Sequence, residues 1–427
     1  MKKKNMRVMA KGLYMSNDTR VTGLNNNDLI IGPSGAGKTT GYVKPNLLLG
    51  GGSIIVADTK GALLQEVGPE MARRGYRVLH LDFSDLAESS LGYDPLDYIR
   101  RGEDGRYSQQ DVMTIAKALC PIEDFKQPFW DHAAAMLLAS IIGTVLEYYS
   151  REWQTMGMVS ELFEELCAGY GQKEGGQFHQ MVFKLGQKNP ESFAWRKFRM
   201  VSSCEGADKM YCSILGILAE KLDVLTFDGI ERLFQMEERV DFAGLGREKT
   251  ALFLTVSDTD RSMDRLVNLF YTQALQGLCR SADRDYPDHR LPVSVRFILD
   301  DFATNTVIPD FDSIISVIRS REIYVSIIIQ SLSQLEGLYG HAKAMTIINN
   351  CDNCLYLGGQ DVETASYFSL KMNRTVDTIL NLPLDAAILF TRGQRPRRVE
   401  KLGPVDWLEQ LGPGERQEAD HELQMAV

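Results

Sequence analysis

Short runs of apolar residues alternate along this chain with stretches of helical periodicity. The apolar runs are rich in Val, Ile and Leu and show little polar alternation, which is typical of strands buried on both faces of a sheet. The predicted strands are Asp28–Ile31, Ser53–Ala57, Val78–Asp82, Ala251–Val256, Val295–Leu299, Ile323–Ile329, Leu355–Leu357 and Ala386–Phe390. Because helical stretches separate them, the pattern predicts an α/β fold with a parallel central sheet.

The stretch from residue 105 to residue 245 has helical patterns and no convincing strand pattern. Its predicted helices are Asp111–Leu119, Asp131–Tyr149, Val159–Leu166, Met210–Leu222 and Arg232–Met236. Since strands resume at Ala251, we predict that residues 105–245 form an all-α domain. This domain is inserted into a nucleotide-binding α/β domain formed by residues 1–104 and 246–407. Residues 408–427 carry few large apolar side chains and predict a flexible tail.

The composition is that of a globular protein, and it limits how this chain can contact nucleic acid. Hydrophobic residues make up 44% of the 427 residues and charged residues 24%, and the formal net charge is −10. Proteins that bind nucleic acid over a broad surface are usually basic. Any DNA contact is therefore expected to be local, in a loop or a pore. The 7 cysteines are too sparse for a secreted disulfide scaffold and indicate a reducing compartment.

The sequence shows no membrane or targeting signal. The longest uncharged apolar stretch, Ala133–Leu146, is shorter than the ~20 residues needed to cross a bilayer. The basic start of the chain lacks the apolar segment of a signal peptide. We therefore expect this chain to be soluble, and the sequence leaves open whether a membrane segment precedes it.

A glycine-rich loop follows the first predicted strand of the sheet. Its residues match the full G-x-x-x-x-G-K-[ST] spacing and are Gly32, Pro33, Ser34, Gly35, Ala36, Gly37, Lys38 and Thr39, with Thr40 next. Such a loop wraps a phosphate with its backbone N–H groups, and the following helix adds partial positive charge. Lys38 is expected to reach the β- and γ-phosphates of ATP, and Thr39 to coordinate Mg²⁺. The alternative is a turn that only joins strand to helix.

Polar residues end two further predicted strands. Asp300 and Asp301 follow Val295–Leu299, and Gln330 follows Ile323–Ile329. We predict that Asp300 holds Mg²⁺ through water, and that Asp301 takes the position of a water-activating carboxylate. Gln330 lies where the carboxyl ends of parallel strands form a binding crevice, so it can orient water or sense the γ-phosphate. In each case the alternative is a polar cap on a core strand.

Two arginines, Arg319 and Arg321, lie between these strands in the sequence. An arginine that reaches the γ-phosphate of a neighbouring subunit would stabilise the transition state in trans. A surface pair at a helix end is an equally open interpretation.

Several segments together resemble a known family, namely residues 12–48, 56–64, 297–340 and 347–369. Their motifs, in this order and spacing, are similar to the cytoplasmic part of conjugative coupling proteins of the TraG/TraD type. The resemblance covers most of residues 12–400. It implies a RecA-like P-loop NTPase fold with an inserted all-α domain, and a ring, generally a hexamer, at the cytoplasmic face of the membrane. The ring would recruit a relaxase–DNA complex and use ATP hydrolysis to feed it to a type IV secretion channel.

The resemblance also implies roles for individual residues. Lys38 and Thr39 match the phosphate and Mg²⁺ groups, Asp300 matches the metal carboxylate, and Gln330 matches the glutamine that senses the nucleotide. For the trans-acting arginine, Arg319 is the best match and Arg321 the second.

The sequence departs from the family in two places. Asp301 stands where the family usually has Glu, so its carboxylate is one methylene shorter. This keeps open a second hypothesis, an ATP-binding recruitment platform with little turnover. Relatives carry transmembrane helices before the loop, whereas only residues 1–31 precede it here. Membrane contact would then depend on a missing or partner-supplied anchor.

Overall fold

In this computed structural model, the described residues are 5–124, 126–169, 176–203, 208–302 and 307–403. They group into two compact units. The sheet unit contains the described residues of 1–81, 241–261 and 275–427, and the helical unit contains those of 82–240 and 262–274.

The strands of the chain build a large mixed sheet and a separate hairpin. The hairpin consists of β1 (Met6–Ala10) and β2 (Leu13–Ser16). The other strands are β3 (Asp28–Ile31), β4 (Ser53–Asp58), β5 (Arg77–Asp82), β6 (Thr250–Thr255), β7 (Val295–Leu299), β8 (Ile323–Ile329), β9 (Asn353–Tyr356), β10 (Ala386–Thr391) and β11 (Arg397–Glu400).

Within the described residues, the large sheet has nine strands in the order β11-β10-β9-β3-β8-β7-β4-β6-β5. The strands from β9 to β6 pair in parallel, while β10 pairs antiparallel with both β9 and β11. Every residue of β3, β4, β6 and β8 is buried. Buried β-branched and leucine side chains on both faces explain why these strands read as continuous apolar runs. The register also aligns the strand ends, because Ile31 of β3 pairs with Ile329 of β8.

Helices of the sheet unit connect its strands. They are α1 (Thr19–Thr22), α2 (Lys44–Leu49), which continues a π-helical turn at Thr39–Val43, α3 (Ala62–Arg73) and α11 (Phe242–Leu245). After β7 follow α13 (Phe311–Val317), α14 (Leu332–Tyr339), α15 (His341–Asn349), α16 (Val362–Met372) and α17 (Val376–Leu380). Helix α12 (Asp264–Asp285) contributes residues to both units.

The helical unit is organised around one apolar helix. Its helices are α4 (Gln109–Leu119), α5 (Phe129–Tyr148), α6 (Met156–Ala168), α7 (Gln177–Lys188), α8 (Phe193–Ser202), α9 (Asp208–Leu222) and α10 (Ile230–Gln235). Helix α5 packs against α4, α6, α7, α8 and α9. A helix that is apolar on all sides must be surrounded in this way to remove its side chains from water.

Helix α5 also has the length and composition of a membrane span. Its most apolar window has a mean hydropathy of 1.5, and 78% of that window is buried inside the structure. A buried core helix of a soluble protein can be equally long and apolar, so this helix is weak support for a membrane crossing.

All the predicted strands are present, three of them with the predicted bounds: Asp28–Ile31, Val295–Leu299 and Ile323–Ile329. The predicted strand Leu355–Leu357 is shifted, because the ladder to β3 begins at Asn353. The five predicted helices are confirmed within a few residues at each end. Strands β1, β2 and β11 and helices α7 and α8 were not predicted.

The division into units differs in its limits from the predicted domains. Residues 82–104 group with the helices, and so do residues 262–274, whereas the predicted boundaries lie at 104/105 and 245/246. The domain boundaries themselves stay a prediction. The predicted tail, residues 408–427, lies outside the described residues.

Candidate functional site

The glycine-rich loop connects β3 to the π-helical turn Thr39–Val43. Gly35 and Gly37 have φ angles of +76° and +90°, which place both in the left-handed region that favours glycine. At Gly32, an added Cβ would lie 2.9 Å from Cβ of both Ala36 and Leu357. The tight curvature of this loop therefore depends on its glycines.

Lys38 is held inside the loop. Its side chain is buried, and Nζ donates hydrogen bonds to the carbonyl oxygens of Gly32 at 2.8 Å and Pro33 at 3.0 Å. These contacts fix a positive charge within the curve of the loop. A loop that presents backbone N–H groups around an ammonium group is suited to bind phosphate.

Thr39 and Asp300 meet across the ends of two strands. The Thr39 hydroxyl donates a hydrogen bond to Asp300 Oδ2 at 2.8 Å, although the two residues are 261 positions apart in the sequence. Burial raises the pKa of Asp300 to about 6, and the neighbouring Asp301 carboxylate adds to the rise, while the Thr39 hydroxyl and Lys38 oppose it. A bound cation would favour the ionised carboxylate.

This pair of oxygen ligands fits Mg²⁺. Magnesium prefers oxygen ligands and usually takes one or two from the protein, completing its octahedron with water and substrate phosphates. Thr39 and Asp300 supply such a set beside a loop built for phosphate.

Asp301 has an unusual backbone conformation. Its φ is +49°, in the left-handed region, and its N–H donates to Asp300 Oδ1 at 3.1 Å. Few residues other than glycine adopt this conformation, and such residues cluster at functional sites. The turn therefore breaks the strand geometry immediately after Asp300.

Gln330 is brought to the glycine-rich loop. It follows Ile329 just as Gly32 follows Ile31, and these two isoleucines are paired in the sheet. Its backbone N–H donates to Gln334 Oε1 at 3.1 Å.

A cleft of about 250 Å³ opens at this point. It is lined by Pro33, Gln330, Tyr356 and the turn Gly358–Gly359, among others. The Tyr356 hydroxyl is buried and has no hydrogen-bond partner in the described part of the chain, and burial raises its pKa to about 12. From the sequence, we did not predict that Tyr356 or the turn Gly358–Gly359 belongs to the site. The two glycines directly after an apolar run were the available signal.

Arg319 and Arg321 lie elsewhere. Both belong to a short 3₁₀ turn, Ile318–Arg321, which precedes β8, whereas the loop follows the carboxyl end of β3. At ~3.3 Å per residue, β8 separates them from that edge by roughly 20 Å. Arg321 forms a two-pronged ion pair with Asp283 at 2.8 and 2.9 Å, and Arg319 donates to the Gly23 carbonyl oxygen at 3.3 Å. Neither arginine joins the site of its own chain, and a role in trans stays a prediction.

A family model and curated relatives both match most of this chain. The family model described as type IV secretory system conjugative DNA transfer matches residues 1–376. The chain is 26% identical to the VirD4 protein of Rhizobium radiobacter over 360 residues, which cover 84% of this chain and 49% of that protein. It is 25% identical to the VirD4 protein of Agrobacterium fabrum over the same length, with 84% and 50% coverage. The chain thus spans about half the length of the curated relatives it matches.

Solved structures show the same fold. The unbound bacterial conjugative coupling protein TrwBdeltaN70 aligns with a TM-score of 0.67 at 17% identity, covering 92% of this chain and 88% of the other. A structure of the plasmid coupling protein TrwB in complex with ADP and Mg²⁺ aligns with the same TM-score and identity, over 92% and 89%. These likenesses confirm the predicted RecA-like P-loop NTPase fold with an inserted helical domain.

Proposed function

We propose that this chain, which belongs to the family of type IV secretory system proteins for conjugative DNA transfer, is an ATP-hydrolysing coupling protein. It binds ATP·Mg²⁺ at the glycine-rich loop. It recruits relaxase-bound single-stranded DNA, or a protein substrate, and uses hydrolysis to deliver it to the secretion channel. The observation that carries the proposal is the 2.8 Å contact between Thr39 and Asp300 beside the buried ammonium group of Lys38.

The residues of the site divide the chemistry among them. Lys38 neutralises charge on the β- and γ-phosphates, and the loop N–H groups hold the phosphate chain in place. Thr39 and Asp300 hold Mg²⁺, which supplies further stabilisation of the phosphate charge when it is bound. Asp301 orients the attacking water. Gln330, at the end of the neighbouring strand β8, senses the γ-phosphate. TrwB, whose fold this chain shares, has been solved with ADP and Mg²⁺, which supports the nucleotide and the metal.

The assembly that we propose is a ring of copies of this chain, generally a hexamer, at the cytoplasmic face of the plasma membrane. Arg319, or else Arg321, reaches the nucleotide of the neighbouring subunit. The local charge of the ring, rather than the net charge of −10, must then attract single- or double-stranded DNA.

The test of the proposal is the steady-state ATPase rate as a function of protein concentration, with and without DNA. Sites shared between subunits should give a rate per subunit that rises with concentration, and DNA should raise it further. A chain that binds no Mg²⁺-nucleotide at any concentration would contradict the proposal.

A second candidate function is an ATP-binding recruitment platform with little turnover, and Asp301 is the residue that favours it. A general base must lie within ~2.6–3.2 Å of the water that it orients, and a misplacement of 1 Å can cost about 10²-fold in rate. The aspartate side chain is one methylene shorter than glutamate.

Single-turnover hydrolysis at saturating Mg²⁺ separates the two functions. In an ATPase, Asp301→Asn abolishes turnover but keeps nucleotide binding, Asp301→Glu keeps or raises the rate, and Asp300→Ala loses Mg²⁺-dependent binding. If Asp301→Asn hydrolyses ATP as fast as the parent, Asp301 only caps its strand, and the platform is the better account.

A further inference from the structure

A buried polar cluster lies on the strands that carry the candidate site, on the amino-terminal side of that site. Asp28 on β3, Arg296 on β7 and Ser326 on β8 belong to it. Each stands four positions before the site residue of its strand: Asp28 before Gly32, Arg296 before Asp300 and Ser326 before Gln330. At ~3.3 Å per residue, the cluster lies roughly 13 Å from the site along the same strands.

Asp28 is the centre of the cluster and is fully buried. Its carboxylate accepts hydrogen bonds from Arg7 Nε at 2.7 Å, from Tyr42 Oη at 2.7 Å and from Asn353 Nδ2 at 3.1 Å. Arg296 Nη1 lies 3.4 Å from the same carboxylate. Burying a carboxylate with two guanidinium groups costs free energy unless every contact is well made. Hydrogen bonds from β1, the π-helical turn and β9 hold the Asp28 carboxylate in one orientation.

Tyr42 connects the cluster to the metal-binding threonine. It lies in the π-helical turn Thr39–Val43, three residues after Thr39, and its side chain is 1% exposed. Besides donating to Asp28, its hydroxyl lies 2.9 Å from Ser326 Oγ. The turn is thus held by hydroxyl groups at both ends, since Thr39 bonds Asp300 and Tyr42 bonds Asp28.

Because this turn is π-helical, the hydrogen bond from Tyr42 to Asp28 is important for its conformation. π-Helical turns are rare, occur frequently at functional sites, and are not the form that the backbone adopts by default. The orientation of the Thr39 hydroxyl depends on the rotation of this turn, and the Tyr42–Asp28 hydrogen bond opposes that rotation from the core.

We propose that Tyr42 is a positioning residue for Thr39, and that its hydrogen bond to Asp28 sets the affinity of the site for Mg²⁺. The inference rests on the proposed nucleotide site, and it adds a role that none of the sequence motifs contains. Residues that orient metal ligands through one further contact typically contribute 10- to 100-fold to metal affinity. Tyr42 acts through the backbone of the turn, so we expect about tenfold, at the lower end of that range.

The experiment titrates Mg²⁺ into the full chain with a fluorescent N-methylanthraniloyl-ATP as the probe. Tyr42→Phe should raise the Mg²⁺ concentration for half-maximal binding by about tenfold. Binding of the probe in EDTA should stay at the level of the parent, because the loop and Lys38 are unchanged. Hydrolysis at saturating Mg²⁺ should recover most of the parent rate.

Tyr76→Phe is the matched control. The Tyr76 hydroxyl is also mostly buried, donates to the Gly52 carbonyl oxygen at 3.0 Å and accepts from the Gly51 N–H at 3.1 Å. It has no contact with the turn Thr39–Val43 among its described hydrogen bonds. This variant should lose comparable thermal stability without any shift in the Mg²⁺ titration.

A second variant, Ser326→Ala, removes the other partner of the Tyr42 hydroxyl and leaves the bond to Asp28 in place. It should shift the Mg²⁺ titration by less than about twofold, and it keeps the inference testable if Tyr42→Phe does not fold. If Tyr42→Phe does not fold, a shift of the Mg²⁺ titration beyond twofold in Ser326→Ala would overturn the inference. Equal Mg²⁺ titrations of the parent and Tyr42→Phe, or equal shifts in Tyr42→Phe and Tyr76→Phe, would also overturn it. Failure of the parent itself to bind the probe with Mg²⁺ would instead remove the proposed function, and this role with it.

Discussion

The sheet unit and the helical unit use buried polar side chains in different ways. In the sheet unit, Lys38, Thr39 and Asp300 converge at the carboxyl ends of strands, where a ligand can complete their contacts. In the helical unit, Lys221 is 2% exposed and pairs with Glu123 at 2.6 Å and Asp131 at 3.6 Å. Its partners belong to the unit itself. Substitutions in the first set should therefore change chemistry, and those in the second should change stability.

The largest expected effect is in the sheet unit. Lys38→Ala should lower ATP turnover by about 10²- to 10³-fold or more, because it removes a charge-assisted contact that strengthens in the transition state. The measurement is steady-state hydrolysis at saturating ATP and Mg²⁺.

The fold should survive this change, since the hydrogen bonds of Lys38 within the described part of the chain go to loop carbonyls. The unfolding midpoint of Lys38→Ala should stay close to that of the parent. Normal ATPase activity in the purified variant would contradict the assignment of the loop.

The complementary change lies in the helical unit. Lys221→Met keeps the length of the side chain and removes its charge, which leaves Asp131 buried without its cation. We expect a loss of about 2–3 kcal/mol in the free energy of unfolding, below the usual cost of breaking a buried pair because Glu123 is 57% exposed.

Tryptophan fluorescence in urea can follow this loss, because Trp130, Trp153 and Trp195 belong to the helical unit. ATP binding should be unchanged. A variant that binds ATP more weakly but unfolds like the parent would break the distinction between the two units.

A pH dependence, smaller for each pH unit than the loss expected for Lys221→Met, sharpens the same distinction between the two units. Asp94 caps the 3₁₀ turn Pro95–Tyr98 and accepts N–H groups of Leu96 and Met156, each at 2.8 Å. Burial raises its pKa to about 7, although these hydrogen bonds oppose the rise. The folded unit thus keeps a proton that the unfolded chain loses near pH 4.

The contribution of this proton to the free energy of unfolding is fully present below pH 4. It declines as the pH rises to 7, by at most about 1.4 kcal/mol per pH unit. Asp94→Asn should flatten this slope between pH 5 and pH 7 in urea titrations followed by tryptophan fluorescence. Parallel slopes in parent and variant would show that Asp94 does not titrate in this range.

The buried strands and the glycine-rich loop from Gly32 to Thr39 were the parts of the molecule that the sequence could predict. Ile323–Ile329 is fully buried, so its pattern has one interpretation, and the spacing from Gly32 to Thr39 specifies a conformation that few other sequences adopt. The contact between Thr39 and Asp300 was predictable because both follow parallel strands.

Other elements depend on contacts that no local pattern carries. The hairpin β1–β2 is short, and the burial of its Arg7 depends on distant partners such as Asp28, which pairs with it at 2.7 Å. Helix α7 carries exposed polar residues along much of its length and follows glycine-rich sequence, so its apolar stripe was missed. Tyr42 looked like an ordinary residue after the loop, since its partner stands 14 positions earlier on a strand.

The position of β3 in the sheet has a consequence for the order of events on the ribosome. Its neighbours are β8 and β9, and Asp28 bonds to Asn353, 325 residues later. At about 5–20 residues per second, the ribosome adds that length in roughly 16–65 seconds. During this interval the glycine-rich loop is already synthesised but lacks the strands that hold it. The nascent chain can therefore complete the candidate site only after Asn353 has been made, later than the helical segments.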